Sequence, residues 1–102
     1  MKHEIRLRNT FGASLASGEN ALQFRISKID PYLTICEELT IDFTRIRIAN
    51  SSFINALIGG LFEQHGEKAL EKISFKGCLP TIRVLIESAI ELGISKHNAQ
   101  AA

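Results

Sequence analysis

The chain has 102 residues, of which 45% are hydrophobic and 23% are charged, and these values are typical of one folded domain with a modest core. Twelve Lys and Arg residues face eleven Asp and Glu residues, and the net charge of +1 gives no long-range field that would attract a nucleic acid. Cys36 and Cys78 form no zinc or redox motif, and no segment predicts a signal peptide or a membrane span, so we expect a cytoplasmic protein with reduced thiols and with no cofactor or metal.

The first third of the chain predicts a strand followed by a helix. In residues 4–8, apolar and charged residues alternate, which is typical of a strand with one buried face, and Gly12 then permits a turn. Ser17 can cap a helix through its hydroxyl. Four apolar residues follow at helical spacing: Leu22, Ile26, Ile29 and Leu33. Because Pro31 disfavours a helical conformation of the residue before it, we expect this helix to end near Asp30.

The middle of the chain predicts a second strand and a long helix. Residues 39–43 alternate strictly and indicate a strand with three apolar residues on one face. Residues 44–49 keep Ile46 and Ile48 at period two, which fits either an extended loop that packs two apolar anchors or a continuation of the strand, and we favour the loop. A helix is predicted over residues 51–65, with Gly66 as the left-handed residue after its last turn. Its apolar stripe consists of Phe53, Ile54, Leu57, Ile58, Leu61 and Phe62.

The last third of the chain predicts a strand over residues 72–76 and a final helix. Pro80 suits the first turn of this helix, Gly93 suits its end, and residues 94–102 are expected to form a frayed, flexible tail after a domain that covers residues 1–93. The alternation of strands and helices predicts parallel strands joined by right-handed crossovers. Period-two strands further predict that helices cover one face of the sheet, while the other is open to a partner.

Few residues are candidates for chemistry. His3, His65 and His97 lie in separate segments, so the local sequence predicts no shared metal and no catalytic histidine. Asp42 ends the central strand, where α/β sheets bind ligands, and it would serve there as a metal ligand, a base or an anion-site edge, or else cap the following loop in an Asx turn. The Gly59-Gly60 pair lacks the frame of a phosphate loop. Each glycine costs about 1 kcal/mol against alanine in a helix, so we expect close packing of this helix, within the chain rather than with another chain.

Six basic residues lie on or beside the predicted strands: Arg6, Arg8, Arg45, Arg47, Lys72 and Lys76. They form either a local basic patch or the solvated ends of strands and loops, and the usual surface position of such charges favours the second interpretation. A patch of this kind would be local, because the net charge of the whole chain is only +1.

The segment Asn50-Ser51-Ser52-Phe53 stands at the start of the predicted long helix. Asn and Ser are well suited to cap a helix, because their side chains accept a hydrogen bond from a free amide of the first turn. The same amides and the helix dipole also favour a phosphate group. Phosphorylation there would add about −1.5 to −2 charges, enough to repel or recruit a partner. Capping alone explains the segment, and a phosphorylation switch is the alternative.

The strand Leu39-Thr40-Ile41-Asp42-Phe43, followed by a short loop and Asn50-Ser51-Ser52-Phe53, resembles the STAS-like domains of unknown function. These domains are relatives of the sulfate transporter and anti-sigma-factor antagonist domain. Residues 11–12 and 15–21 resemble the segment that leads into the first helix of that family, and residues 73–77 resemble its next strand. The resemblance covers most of residues 4–93. It implies an α/β fold with a small, mostly parallel or mixed sheet and crossover helices.

The resemblance also implies a role for the helix start. In anti-sigma-factor antagonists, the helix after the central strand begins with an Asp-Ser-Ser-Gly type of sequence whose serine is phosphorylated by a partner kinase. Ser51 is the position that best matches that serine. In this chain Asn50 stands where the aspartate would be and Phe53 where the glycine would be. Phe53 would therefore either block a kinase loop or form part of a different contact surface.

We therefore expect a non-enzymatic regulatory protein–protein interaction module. Its candidate phosphorylation and interaction residues are Asn50, Ser51, Ser52 and Phe53, and the resemblance implies a partner ATPase or kinase of the histidine-kinase-like fold. The alternative is a small-ligand or nucleotide-binding domain, in which Asp42 and the helix start near Ser51 converge at one edge of the sheet. A third class is a subunit of a larger assembly, with the open sheet face or the Gly59-Gly60 helix as its interface.

Overall fold

The computed structural model describes residues 2–101 of the chain. In chain order the elements are β1 (Lys2–Arg6), α1 (Leu7–Phe11), β2 (Ser14–Leu15), α2 (residues 18–33), β3 (Glu38–Asp42), β4 (Ile48–Ala49), α3 (residues 51–65), α4 (Lys68–Lys72), β5 (Ile73–Lys76) and α5 (Pro80–Ala101). Two of these helices contain a π-helical segment, which is Arg25–Ile29 in α2 and Asn55–Gly59 in α3.

The main sheet consists of β1, β3 and β5, all parallel, with β3 in the middle. Its register aligns Ile5 with Ile41 and Ile41 with Phe75. The predicted small α/β fold with a mostly parallel sheet is therefore confirmed. The predicted first strand over residues 4–8 was placed two residues too late, because Leu7 is fully buried and begins the helical turn α1 instead.

The two faces of the main sheet differ in character. The inward side chains of the three strands are buried and join the helices in one core: Ile5, Leu39, Ile41 and Ile73. On the opposite face, Glu4, Thr40 and Ser74 are aligned across the strands, and the hydroxyls of Thr40 and Ser74 lie 3.1 Å apart. The sheet thus has the predicted open face, and this face is polar.

A second, two-stranded sheet forms where β2 pairs in parallel with β4. The pairing connects the segment before α2 to the segment before α3, and the favoured loop interpretation holds for the residues between β3 and β4. Ile46 is 1% exposed and is one of the two predicted anchors, but Ile48 is 66% exposed. The prediction for Ile48 was wrong because this residue belongs to β4 and its side chain points away from the core.

The buried face of α2 differs from the predicted one. Its buried residues follow a spacing of four: Ala21, Arg25, Ile29 and Leu33. Leu22 and Ile26 are 38% and 52% exposed, because the π-helical segment widens the turn and shifts which residues face the core. The predicted end near Asp30 was also wrong. Asp30 begins a further helical turn directly after the π-helical segment, with Pro31 at one of the first positions of that turn, so the proline does not end the helix at Asp30.

α3 agrees closely with its prediction. It spans residues 51–65, and each of the six stripe residues from Phe53 to Phe62 is at most 1% exposed. Gly66 follows with a φ of 68°, a conformation that favours glycine. The start, the buried face and the end of this helix are therefore confirmed.

α5 continues through Gly93 to Ala101, so the predicted helix end at Gly93 and the frayed tail after it were wrong. Ile94 packs against the core, and His97 Nδ1 lies 2.9 Å from the carbonyl oxygen of Glu63. A Cβ at position 93 would lie 2.5 Å from the carbonyl oxygen of Gly59. Gly93 thus permits close contact between α3 and α5 instead of ending the helix. None of the helices within residues 2–101 combines the length and apolar character of a membrane span.

Candidate functional site

The start of α3 is built around Asn50. The Asn50 side-chain oxygen accepts a hydrogen bond of 2.8 Å from the Phe53 amide, so Asn50 is the residue that caps the helix. Its side-chain amide donates a hydrogen bond of 2.6 Å to the carbonyl oxygen of Ala16, and its backbone amide donates to Leu15. Asn50 therefore caps α3 and also joins it to the segment just before α2.

The two serines of this segment are exposed. The backbone of Ser52 lies beside the start of α2, because a Cβ at Gly18 would be 3.2 Å from the Ser52 carbonyl oxygen. Phe53 is different: it is 1% exposed and packs edge to face against Phe11, with ring centroids 5.0 Å apart. The sequence-based idea that Phe53 belongs to a contact surface is therefore wrong, because its ring fills the core beneath the helix start.

Asp42 lies at the end of β3 and is 7% exposed. Its Oδ1 atom accepts hydrogen bonds from both the amide and the hydroxyl of Thr44, which is the Asx-turn alternative. Burial disfavours the charged carboxylate, but the two hydrogen bonds from Thr44 and the positive charges of Lys76 and Arg6 outweigh it and lower the pKa of Asp42. Asp42 is thus an ionised structural residue, with its Oδ1 atom engaged by Thr44.

The alternative prediction of a ligand site combined Asp42 with the helix start near Ser51 at one edge of the sheet. In the structure Asp42 is hydrogen-bonded to Thr44, and the helix start is capped by Asn50, whose side chain bonds to Ala16 and Phe53. Basic residues surround Asp42 instead. Five of the six candidates for a basic patch line two neighbouring clefts at this edge: Arg6, Arg8, Arg45, Arg47 and Lys76.

The sixth basic candidate, Lys72, lies elsewhere, because its ammonium group donates a hydrogen bond of 3.0 Å to the carbonyl oxygen of Leu33. The patch interpretation, which the sequence did not favour, therefore describes five of the six residues. Two of these five, Arg6 and Lys76, flank Asp42 because the three residues are aligned at the ends of β1, β3 and β5.

A second polar cluster, which the sequence analysis missed, lies between the ends of α2 and α3. The side chain of Arg25 is 8% exposed, and its Nε atom is 3.6 Å from Asp30 Oδ2. Asp30 Oδ1 is 3.6 Å from His65 Nε2. Among the described residues, these Arg25, Asp30 Oδ1 and His65 atoms have no hydrogen-bond partner. Gly60 makes room for the cluster, because a Cβ there would overlap the Arg25 guanidinium.

The Arg25 cluster opens into a cavity of about 690 Å³, which His65 and His97 both line. Two histidines that are far apart in sequence therefore line one cavity, which the local sequence does not indicate. Within residues 2–101, no group of three or more His, Cys, Asp or Glu side chains is arranged to hold a metal ion. Both cysteines are free thiols, and burial raises the pKa of Cys78. The neutral thiol is a poor nucleophile.

The chain has a parallel sheet of three strands with helices on one face, a buried aspartate at the end of the middle strand, and two serines at the start of the next long helix. These features define a small α/β module of the STAS-like class. The chain belongs to the family described as the STAS-like domain of unknown function (DUF4325), whose model matches residues 20–83. The match extends from α2 to the first residues of α5 and includes Asp42 and residues 50–53. No match was found among curated proteins or among solved structures.

Proposed function

We propose that this domain is a non-enzymatic regulatory protein–protein interaction module and that its contact surface is the start of α3. The observation that supports this proposal is the division of roles at the helix start. Asn50 makes the capping hydrogen bond, whereas Ser51 and Ser52 are exposed, and their side chains form no hydrogen bond with the described residues. The serine hydroxyls are therefore not needed for the cap and are accessible to a partner.

Phosphorylation of Ser51 is the proposed control. A phosphate there would add about −1.5 to −2 charges at the positive end of the α3 dipole, where a negative charge is stabilised by about 0.3–1 kcal/mol. The modified helix would remain folded, because the Asn50 cap and the buried stripe do not involve the Ser51 hydroxyl. The modification would therefore change the charge of the contact surface without changing the fold.

The surface beside Ser51 also offers an apolar contact. Ile48 precedes Asn50 by two residues and is 66% exposed, so it can be buried against a partner with a gain of free energy. We propose that this partner is an ATPase of the histidine-kinase-like fold, in keeping with the kinase partners of anti-sigma-factor antagonists. Ile48 takes the contact role that was expected of Phe53.

The test combines binding with phosphate mapping. The domain would be incubated with ATP and candidate ATPases of this fold, and modified residues would be located by mass spectrometry. We expect phosphate on Ser51 of the natural chain and of a Ser88→Ala control, whose serine is exposed on α5, but not at that position in Ser51→Ala. Ser51→Glu and Ile48→Ala should both weaken partner binding. The absence of both binding and phosphate at Ser51 or Ser52 would contradict the proposal.

A further inference from the structure

The five basic residues around Asp42 form a surface that the proposed interaction role does not use. We call this surface the basic edge: Arg6, Arg8, Arg45, Arg47 and Lys76. It lies at the carboxyl ends of the three parallel strands, which is where open α/β sheets bind ligands. Its residues come from β1, α1, the loop before β4 and the end of β5, so only the folded chain brings them together.

The basic edge concentrates positive charge that the protein neutralises only in part. It holds five of the twelve Lys and Arg residues of the chain, whereas Asp42 is the acidic residue that lines the same clefts. Arg6 also forms an ion pair with Glu4, whose carboxylate lies 2.9 Å from Arg6 Nε. The other four cations form no ion pair within 4 Å with a carboxylate of residues 2–100. The chain is nearly neutral as a whole, so this excess is local.

The shape of the basic edge is concave. A cleft of about 530 Å³ and a neighbouring cleft of about 690 Å³ share Arg8 and Arg45 in their walls. Arg8 Nη1 lies 3.4 Å from the carbonyl oxygen of Arg45, which holds the two residues side by side. Arg45 has a φ of 67°, a strained conformation for a bulky side chain, and such strain is concentrated at functional sites.

We propose that the basic edge binds a small phosphate-bearing molecule. The planar guanidinium group matches the geometry of phosphate and donates two parallel hydrogen bonds to it, and Arg8 and Arg45 face a shared concave space. The ionised Asp42 opposes anion binding, but it is only 7% exposed and five basic residues line the same two clefts, so the net charge of the basic edge is positive. The concave form favours a small ligand over an extended polyanion. The inference does not rest on the proposed function, since Ser51 takes no part in it.

The test is isothermal titration calorimetry of the full chain with inorganic pyrophosphate. We expect saturable binding of one molecule, weakened by added salt because the contacts are charged. Arg8→Gln and Arg45→Gly should each reduce the affinity about tenfold or more, since a hydrogen bond to a charged group contributes that much. Arg45→Gly also relieves the positive φ, so unfolding would not account for a loss of binding. Lys28→Gln removes one charge from α2 and should leave the affinity unchanged.

Three outcomes would overturn the inference. The first is no saturable binding of pyrophosphate. The second is an equal loss of affinity in Lys28→Gln, which would show that only the net charge matters. The third is binding of an oligonucleotide or of polyglutamate without binding of pyrophosphate, which would assign the basic edge to a macromolecule. Because Ser51 can be substituted separately, failure of this test leaves the proposed function standing, and the reverse also holds.

Discussion

Two glycines, Gly93 and Gly59, lie where α3 and α5 are in close contact, and we expect their replacement by alanine to have opposite effects on stability. In Gly93→Ala, the new Cβ would lie 2.5 Å from the carbonyl oxygen of Gly59, 2.9 Å from Phe62 Cβ and 3.1 Å from the Glu63 amide nitrogen. Two of these atoms belong to the α3 backbone, so the helices must separate. Overpacking of this kind costs about 1–3 kcal/mol, and the higher helix propensity of alanine offsets about 1 kcal/mol. Because the closest contact is 2.5 Å and involves the backbone, the overpacking cost lies at the upper end of this range, and we expect a net loss of about 2 kcal/mol.

Gly59→Ala is the matched control on the facing helix. Its Cβ would lie 3.6 Å from the carbonyl oxygen of Ala89 and 3.9 Å from Ala89 Cβ, which are ordinary contact distances. Only the propensity gain remains, so Gly59→Ala should stabilise the domain by up to about 1 kcal/mol. For a domain of this size, 1 kcal/mol corresponds to a change of about 4–8 °C in Tm.

Thermal and urea unfolding followed by circular dichroism would measure both variants. The predicted result is a lower Tm for Gly93→Ala and a higher Tm for Gly59→Ala, with similar urea m-values in all three proteins. A Gly93→Ala variant as stable as the natural chain would show that α3 and α5 are not in close contact at this position. A lower Tm for Gly59→Ala would contradict the second prediction, because it would show that the π-helical segment itself requires glycine.

Three further predictions concern the sheet edge and the start of α3. Asn50→Ala should lower the free energy of unfolding by about 1–3 kcal/mol in urea, because it removes both the cap and the bond to Ala16, whereas Asn50→Asp keeps the cap and should lose less. Because the folded pKa of Asp42 is lowered below its ordinary value of 3.8, the stability that this residue contributes is fully present above that value and is lost as the pH falls through the folded pKa. Asp42→Asn should therefore flatten the acid limb of the stability curve, and an unchanged limb would contradict the assignment. Arg45→Gly should raise Tm, since the relief of a positive φ, about 1–2 kcal/mol, exceeds the entropic cost of glycine, about 0.4–1 kcal/mol.

The sequence predicts α3 well because independent signals agree on it. A capping Asn50, an apolar stripe at regular spacing and Gly66 define its start, its buried face and its end. In α2 the signals conflict. The π-helical segment places Arg25 at a buried position, and a charged side chain is not expected there from hydrophobicity alone. The burial of Arg25 therefore cannot be predicted from the sequence if the helix is assumed to be regular.

The candidate sites show the same division between local and long-range information. The cap at Asn50 is local and could be predicted, because the donor and acceptor are three residues apart. The basic edge could not, because its charges come from four segments. The two-residue error in the end of β1 also concealed that Arg6 is aligned with Asp42. Pairing of β2 with β4 then positions the loop that carries Arg45 and Arg47, and nothing in either short segment marks that pairing.

The two outer strands of the main sheet, β1 and β5, have features that protect this domain from aggregation. Both outer strands are short, with five residues in β1 and four in β5, and an unprotected outer strand is a template for another chain. Exposed charges mark both of them: Lys2, Glu4 and Arg6 on β1 and Lys76 on β5. Short, charged outer strands oppose the addition of a further strand from a second molecule. We therefore expect that no strand of another molecule extends the main sheet at these edges.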